Sequence, residues 1–141
     1  MFEKILVGYD GSKGGQAALR RAVAMAKELN AQITAVWVRE PLPRYTDLPG
    51  EPESEAEAAD EYFQEREKEV AEMAGQHGIK VGCETRRGHP AKTIVTMAAE
   101  GNYDLIVVGH SDHSEMWGRL LGDTADRISD HAYCSVLIVK N

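Results

Sequence analysis

The chain has 141 residues, 43% of them hydrophobic and 28% charged, with a formal net charge of −7. Those are ordinary globular values, and a domain of this size buries about 70% of its unfolded surface, so neither disulfides nor a structural metal is needed to hold it together. No apolar run approaches the roughly 20 residues of a membrane-spanning helix, which argues against a membrane protein.

The acidity is local: between Asp47 and Glu72 eleven acidic residues face only Arg66 and Lys68. No basic stripe with interleaved aromatics occurs, so a nucleic-acid partner is not expected. Cys83 and Cys134 lie far apart without C-x-x-C or His spacing, which suits a reducing compartment. The start, MFEKILVGYDGS, enters a strand pattern without a basic region or an apolar signal core, so the expected location is the cytoplasm.

In chain order, Lys4 to Asp10 is an apolar run closed by the turn Asp10-Gly11-Ser12, the pattern of a buried strand. From Gly15 to Leu29 the apolar residues Ala18, Leu19, Ala22, Val23, Ala26 and Leu29 recur at helical spacing, and Asn30 can end the segment. Ile33 to Val38 is a second strand, rich in β-branched and aromatic residues, with Trp37 as a core or sheet-face residue. Pro41, Pro43, Pro49, Gly50 and Pro52 then mark a Pro-rich loop over 39–53.

An acidic helix over 54–77 follows, with Ala59, Phe63, Arg66, Val70, Met73 and Ala74 on one narrow face and Gly78 as its C-terminal cap. Its charge reads as a solvated face, with a basic protein partner as the alternative. Ile79, Val81, Cys83 and Thr85 alternate with polar residues, a strand with one exposed face and a plausible edge position. Pro90 suits the first position of a helix running through Ile94 and Ala98 to Gly101-Asn102. Leu105 to Val108 is a fourth strand, Leu120 to Ala132 a helix, and Ser135 to Val139 a fifth strand.

Alternation of strand and helix throughout predicts an α/β fold: one doubly wound domain, 1–141, with a parallel sheet and helices on both faces. Right-handed crossovers then gather the strand C-terminal ends, with Asp10, Val38 and Gly109, on one edge. The loop GHSDHSEMWGRLLG, 109–122, joins the fourth strand to the last helix, where backbone N–H groups can converge on an anion. Standard phosphate signatures are absent from the first turn: GYDGSKGG is neither G-x-G-x-x-G, because Asp10 stands at the second glycine, nor a Walker A loop.

The ordered set KILVGYDGS, GHPAKTI, DLIVVGHSDHS, LLGDTADRIS and CSVLIVK resembles the universal stress protein family across essentially the whole chain. The resemblance implies a five-stranded parallel sheet in the order 3-2-1-4-5 and a homodimer paired through the last strand, Val136, Leu137, Ile138 and Val139. Some members bind ATP through G-x-x-G, nine residues, then G-[ST]; others lack the motif and do not. Here Gly109 and Gly122 match the first and third glycines, whereas Asp112 replaces the second and Asp123 the serine or threonine. Asp10 matches the acid near the ribose, Val38 a backbone contact to adenine, and Ser111 and Thr124 offer hydroxyl or N–H groups beside the phosphates.

Aspartate tolerates a left-handed backbone, so Asp112 can keep the turn. Its charge is the harder matter: like charges about 4 Å apart repel by roughly 4 kcal/mol at an effective dielectric near 20, and about 1.4 kcal/mol is tenfold in affinity. A bridging magnesium ion reverses that sign at Asp123. Two functions therefore stand: a stress-type regulator with a degraded or magnesium-dependent ATP site, or a dimeric protein-interaction module of the same fold without nucleotide. Slow ATP hydrolysis ranks last, because no catalytic base or nucleophile arrangement is evident. His110, Asp112 and His113 carry metal-binding chemistry, but His-x-x-His in a loop fixes no ligand geometry. Trp117, beside Gly118, reads either as packed by its own helix or as lying against a base or a partner chain.

Overall fold

The computed structural model describes residues 1–40, 52–110 and 123–140, with backbone alone at 52–54 and 123. Its elements alternate strictly: β1 (Lys4–Gly8), α1 (Lys13–Leu29), β2 (Gln32–Arg39), α2 (Pro52–His77), β3 (Gly82–Arg87), α3 (Pro90–Glu100), β4 (Leu105–Gly109), α4 (Asp123–His131) and β5 (Ser135–Val139). All pairings are parallel, and the sheet order is β3-β2-β1-β4-β5, as the resemblance implies.

The helices divide between the two faces as strand handedness requires. Side chains of α1 and α2, including Leu19, Val23 and Val70, pack on Ile5, Val7, Ile33 and Val107. Those of α3 and α4, including Ile94, Ala98, Ala125 and Ile128, pack on Leu6, Val36, Ile106 and Val108. Consecutive strand residues feed opposite cores, so β1 and β4 are apolar at every central position. The switch of helix face falls where the chain leaves β3 and crosses to β4, because a right-handed crossover in the opposite direction must use the opposite face.

Element ends follow local chemistry. The Ser12 hydroxyl accepts from the Gly15 amide at 3.0 Å and starts α1 at Lys13, two residues before the expected Gly15. Asn30, at φ 54°, closes the helix in the left-handed conformation. Gly78 does the same after α2, at φ 68°. The acidic helix begins at Pro52, not 54, because proline in the first turn forfeits no hydrogen bond; Arg39 likewise belongs to β2 and not to the loop. Residues 41–51 of that loop, and the positions from 120 to 122 read into the last helix, lie outside the described residues.

The larger correction concerns β3. Pairing with β2 begins at Thr34↔Gly82, so Ile79 and Val81 precede the strand, although both pack against the α1/α2 core. The Ile79 amide still donates to Ala74 O at 3.1 Å, closing α2, and the ladder starts only where β2 is in reach. Cys83 in β3 and Cys134 before β5 are free and half-buried at opposite edges of the sheet, and burial pushes the Cys83 thiol up to about 11, aided by Glu67 and Glu84. Among the described residues no helix is long and apolar enough to cross a membrane.

Candidate functional site

The strand lengths make a cleft. Pairing of β1 with β2 stops at Gly8↔Val36, and pairing of β1 with β4 stops at Val7↔Val107. Both neighbours continue: β2 pairs with β3 as far as Arg39↔Arg87, and β4 with β5 as far as Gly109↔Val139. The short central strand thus leaves an opening at the carboxyl edge, between Trp37–Arg39 on one side and Val108–Gly109 on the other. It lies where the strand order reverses direction, the position at which open α/β sheets take ligands.

The floor of the opening is the turn from Tyr9 to Ser12. Tyr9 donates its amide to Val36 O at 2.9 Å, ending the strand pairing. The exposed Asp10 carboxylate accepts the Ser12 amide at 2.9 Å through Oδ1. Gly11 has φ 86°, a left-handed conformation that a side chain would strain. Ser12 then caps α1, whose N-terminus faces the same edge and has no acidic residue in its first turn to neutralise its partial positive charge.

Gly109 has a structural duty that its place in the loop motif does not reveal. A Cβ there would collide with the backbone of Gly14, and a Cβ on Gly14 would come 2.6 Å from His110 O. The two glycines let α1 lie directly on the end of β4. His110 donates its amide to Val139 O at 2.8 Å, so the loop leaves the sheet from a fixed point.

Of the predicted site residues, Asp10, Val38 and Gly109 come together around this opening. The half-buried Val38 side chain packs with the α3/α4 core, which leaves its backbone, beyond the last β1 pairing, on the cleft side. Asp123 opens α4, where an acid suits the helix dipole whatever else it does. The exposed Thr124 lines a groove of about 990 Å³ between α3 and α4, with Lys92, Arg127 and His131. Ser111, Asp112, Gly122, His113 and Trp117, and the side chain of Asp123, lie outside the described residues. Among the described residues no cluster of three or more His, Cys, Asp or Glu is placed to hold a metal ion.

Sequence reasoning missed the contribution of α2. Tyr62 donates its hydroxyl to Asp10 O. The Arg66 guanidinium lies over the Tyr62 ring, 4.2 Å from its centroid, and against Gly11, where a Cβ would approach Nη1 to 2.9 Å. Glu69 accepts from Arg66 Nη2 at 3.1 Å and from the Tyr9 hydroxyl at 2.6 Å. Arg66 Nε is also 2.8 Å from Glu69 Oε1, but off the line of a hydrogen bond, and among the described residues it is the buried side-chain polar atom left without one. Burial works against the Arg66 charge, yet Tyr62 and Glu69 outweigh it and raise its pKa. Burial, then Glu69, likewise raises Tyr9 well above the usual phenol range. The signal was available: Tyr62, Arg66 and Glu69 fall on one helical stripe with Phe63, and Trp37 stacks on it at 4.7 Å from Tyr62 and 6.5 Å from Phe63.

Residues 1–140 match the sequence profile of the universal stress protein family. The chain belongs to the universal stress protein family. A universal stress protein of Methanocaldococcus jannaschii is 36% identical over 142 residues, covering 99% of this chain and 83% of the relative. Among solved structures, a universal stress protein in complex with cAMP superposes with a TM-score of 0.75 at 25% identity, covering 98% of this chain and 97% of that one. A universal stress protein family member from Burkholderia pseudomallei superposes with a TM-score of 0.77 at 26% identity, over 98% and 96% of the two chains. The doubly wound sheet and its strand order are thus those of the family.

Proposed function

We propose that this universal stress protein is a cytoplasmic, homodimeric, single-domain regulator that binds an adenine nucleotide in the switch-point cleft. The observation that carries the reading is the shortness of β1 between two longer neighbours, which puts the exposed Asp10 carboxylate at the floor of an opening beside the N-terminus of α1. The cAMP complex of a relative with the same fold supports it. In this reading Asp10 meets the ribose, the Val38 backbone meets adenine, and the phosphates lie toward Gly109, Ser111, Gly122 and Thr124. Asp112 and Asp123 oppose those phosphates, so ATP binds weakly alone and more tightly when magnesium bridges phosphate and carboxylate. The protein acts as a binding module and not as an efficient catalyst.

Dimerisation is assigned to β5. Val136 and Ile138 face the α3/α4 core and Leu137 the α1/α2 core, so the outer backbone edge, beyond the pairing with β4, is what a second copy would use. Such pairing would cover an apolar edge otherwise open to aggregation.

Isothermal titration with ATP and with cAMP, each with and without magnesium, tests the nucleotide assignment. Heat that saturates, and that strengthens for ATP when magnesium is added, is the expected result. No heat at high micromolar ligand in any buffer leaves the ligand-free dimeric interaction module as the function. Asp112→Gly with Asp123→Ser should tighten magnesium-free ATP binding; unchanged affinity would refute the electrostatic account. Sedimentation equilibrium at micromolar protein should give twice the chain mass, and a monomer would refute the β5 assignment.

A further inference from the structure

We infer that Tyr62 and Arg66 of α2 are positioning residues that set the ribose selectivity of the nucleotide site through Asp10 without touching the ligand. This rests on the assignment of Asp10 to the ribose. Asp10 is held at two of its polar atoms: its carbonyl accepts from the Tyr62 hydroxyl, and its Oδ1 accepts from the Ser12 amide. The other carboxylate oxygen, Oδ2, accepts from no described residue, and it is the atom left to receive a sugar hydroxyl. A carboxylate discriminates a diol from its deoxy analogue only if it is held in place, because a mobile acceptor turns to water when the hydroxyl is missing.

Nothing in β1 itself can hold it. Asp10 follows the last strand pairing and precedes a glycine at φ 86°, which is the most permissive point of the turn. The restraint comes from α2. Arg66 lies against Gly11 and over the Tyr62 ring, and Glu69 ties Arg66 to the Tyr9 hydroxyl. The chain of contacts Tyr9, Glu69, Arg66, Tyr62 and Asp10 therefore grips both ends of the turn. The Arg66 side chain at the centre of the grip is 12% exposed, whereas the Tyr62–Asp10 hydrogen bond at its outer end faces solvent.

The test compares ATP with 2′,3′-dideoxy-ATP, both with magnesium, by isothermal titration of the full chain. The wild type should prefer ATP, and Asp10→Asn should erase the preference. Tyr62→Phe removes one hydroxyl and should weaken ATP about fivefold, the usual worth of one hydrogen bond, while leaving the dideoxy nucleotide unchanged within about twofold. A merely structural Tyr62 would weaken both nucleotides by the same factor, and that result overturns the inference, as does no change in either. If Tyr62→Phe melts early, Arg66→Lys, which keeps the charge but loses the planar fork, should shift the same ratio in the same direction. A wild type that binds ATP without any ribose preference overturns the inference and the placing of Asp10 at the ribose, and leaves nucleotide binding itself standing. A wild type that binds neither nucleotide overturns the nucleotide assignment and this inference with it.

Discussion

Helices α1 and α2 cover the same face of the sheet by different means. The shorter one, 17 residues, buries Gly14, Gly15, Ala18, Leu19, Ala22, Val23 and Ala26, whereas the 26-residue α2 buries only Val70 and Ala74 among its described side chains. Its first half is held by a few aromatic and polar contacts at the tip of β1, and its acids remain in solvent. Burial of apolar area at about 25 cal/mol per Å² makes α1 part of the global core. The first half of α2 is an attachment that can open locally at less cost. The helix that shapes the cleft is thus the rigid one, and the helix that holds the cleft's floor is the labile one.

The largest test of that contrast is Gly109→Ala. The new methyl meets the Gly14 backbone, which no rotamer change relieves, so α1 must lift off β4 at a cost of about 3 kcal/mol in denaturant unfolding. Next come matched truncations of equally buried valines, 0% exposed at Val23 and 1% at Val70. Val23→Ala should cost about 2 kcal/mol and Val70→Ala about half of that, because α2 can adjust where α1 cannot. Equal losses would break the comparison. Native-state hydrogen exchange sharpens it: amides in the middle of α1 should exchange only by global unfolding, and those before Arg66 in α2 by a smaller opening. Ser12→Ala should cost about 1 kcal/mol, the worth of one N-cap.

The smallest effect belongs to neither helix. The Asp104 carboxylate accepts the amides of Glu3 at 2.8 Å and Lys4 at 2.9 Å, fastening the start of β1 to the turn before β4. Burial works to raise its pKa, but those amides overcome it and hold the group below its usual value. A depressed folded pKa contributes stability that is present above the unfolded value of about 3.9 and is lost as pH falls through the folded one. Asp104→Asn should flatten that acid limb of the stability profile and leave its slope near pH 7 unchanged.

Much of this was legible in the sequence because it depends on periodicity. The bounds of β5, Ser135–Val139, and the buried stripe Ala18, Leu19, Ala22, Val23 and Ala26 follow directly from the spacing of apolar residues. So does the narrow face of α2, where Ala59, Phe63, Arg66, Val70, Met73 and Ala74 are all partly or fully buried, joined only by Glu69 and His77 among the described side chains. The common edge of Asp10, Val38 and Gly109 is legible too, because strand C-terminal ends share an edge in any parallel sheet. What escaped was the reason for Gly109 and the part of Tyr62. Both depend on contacts across about fifty to ninety-five residues of sequence, with Tyr62 meeting Asp10 and Gly109 meeting Gly14.

The sequence by itself determined the α/β class, the strand and helix inventory and the family, since each rests on local chemistry repeated in order. Tertiary structure alone decided where β3 begins, how far β1 falls short of its neighbours, and which side chains hold the turn between them. The physical reason is that a ladder starts only where its partner is in reach, and a side chain acquires its task only from what folding brings against it.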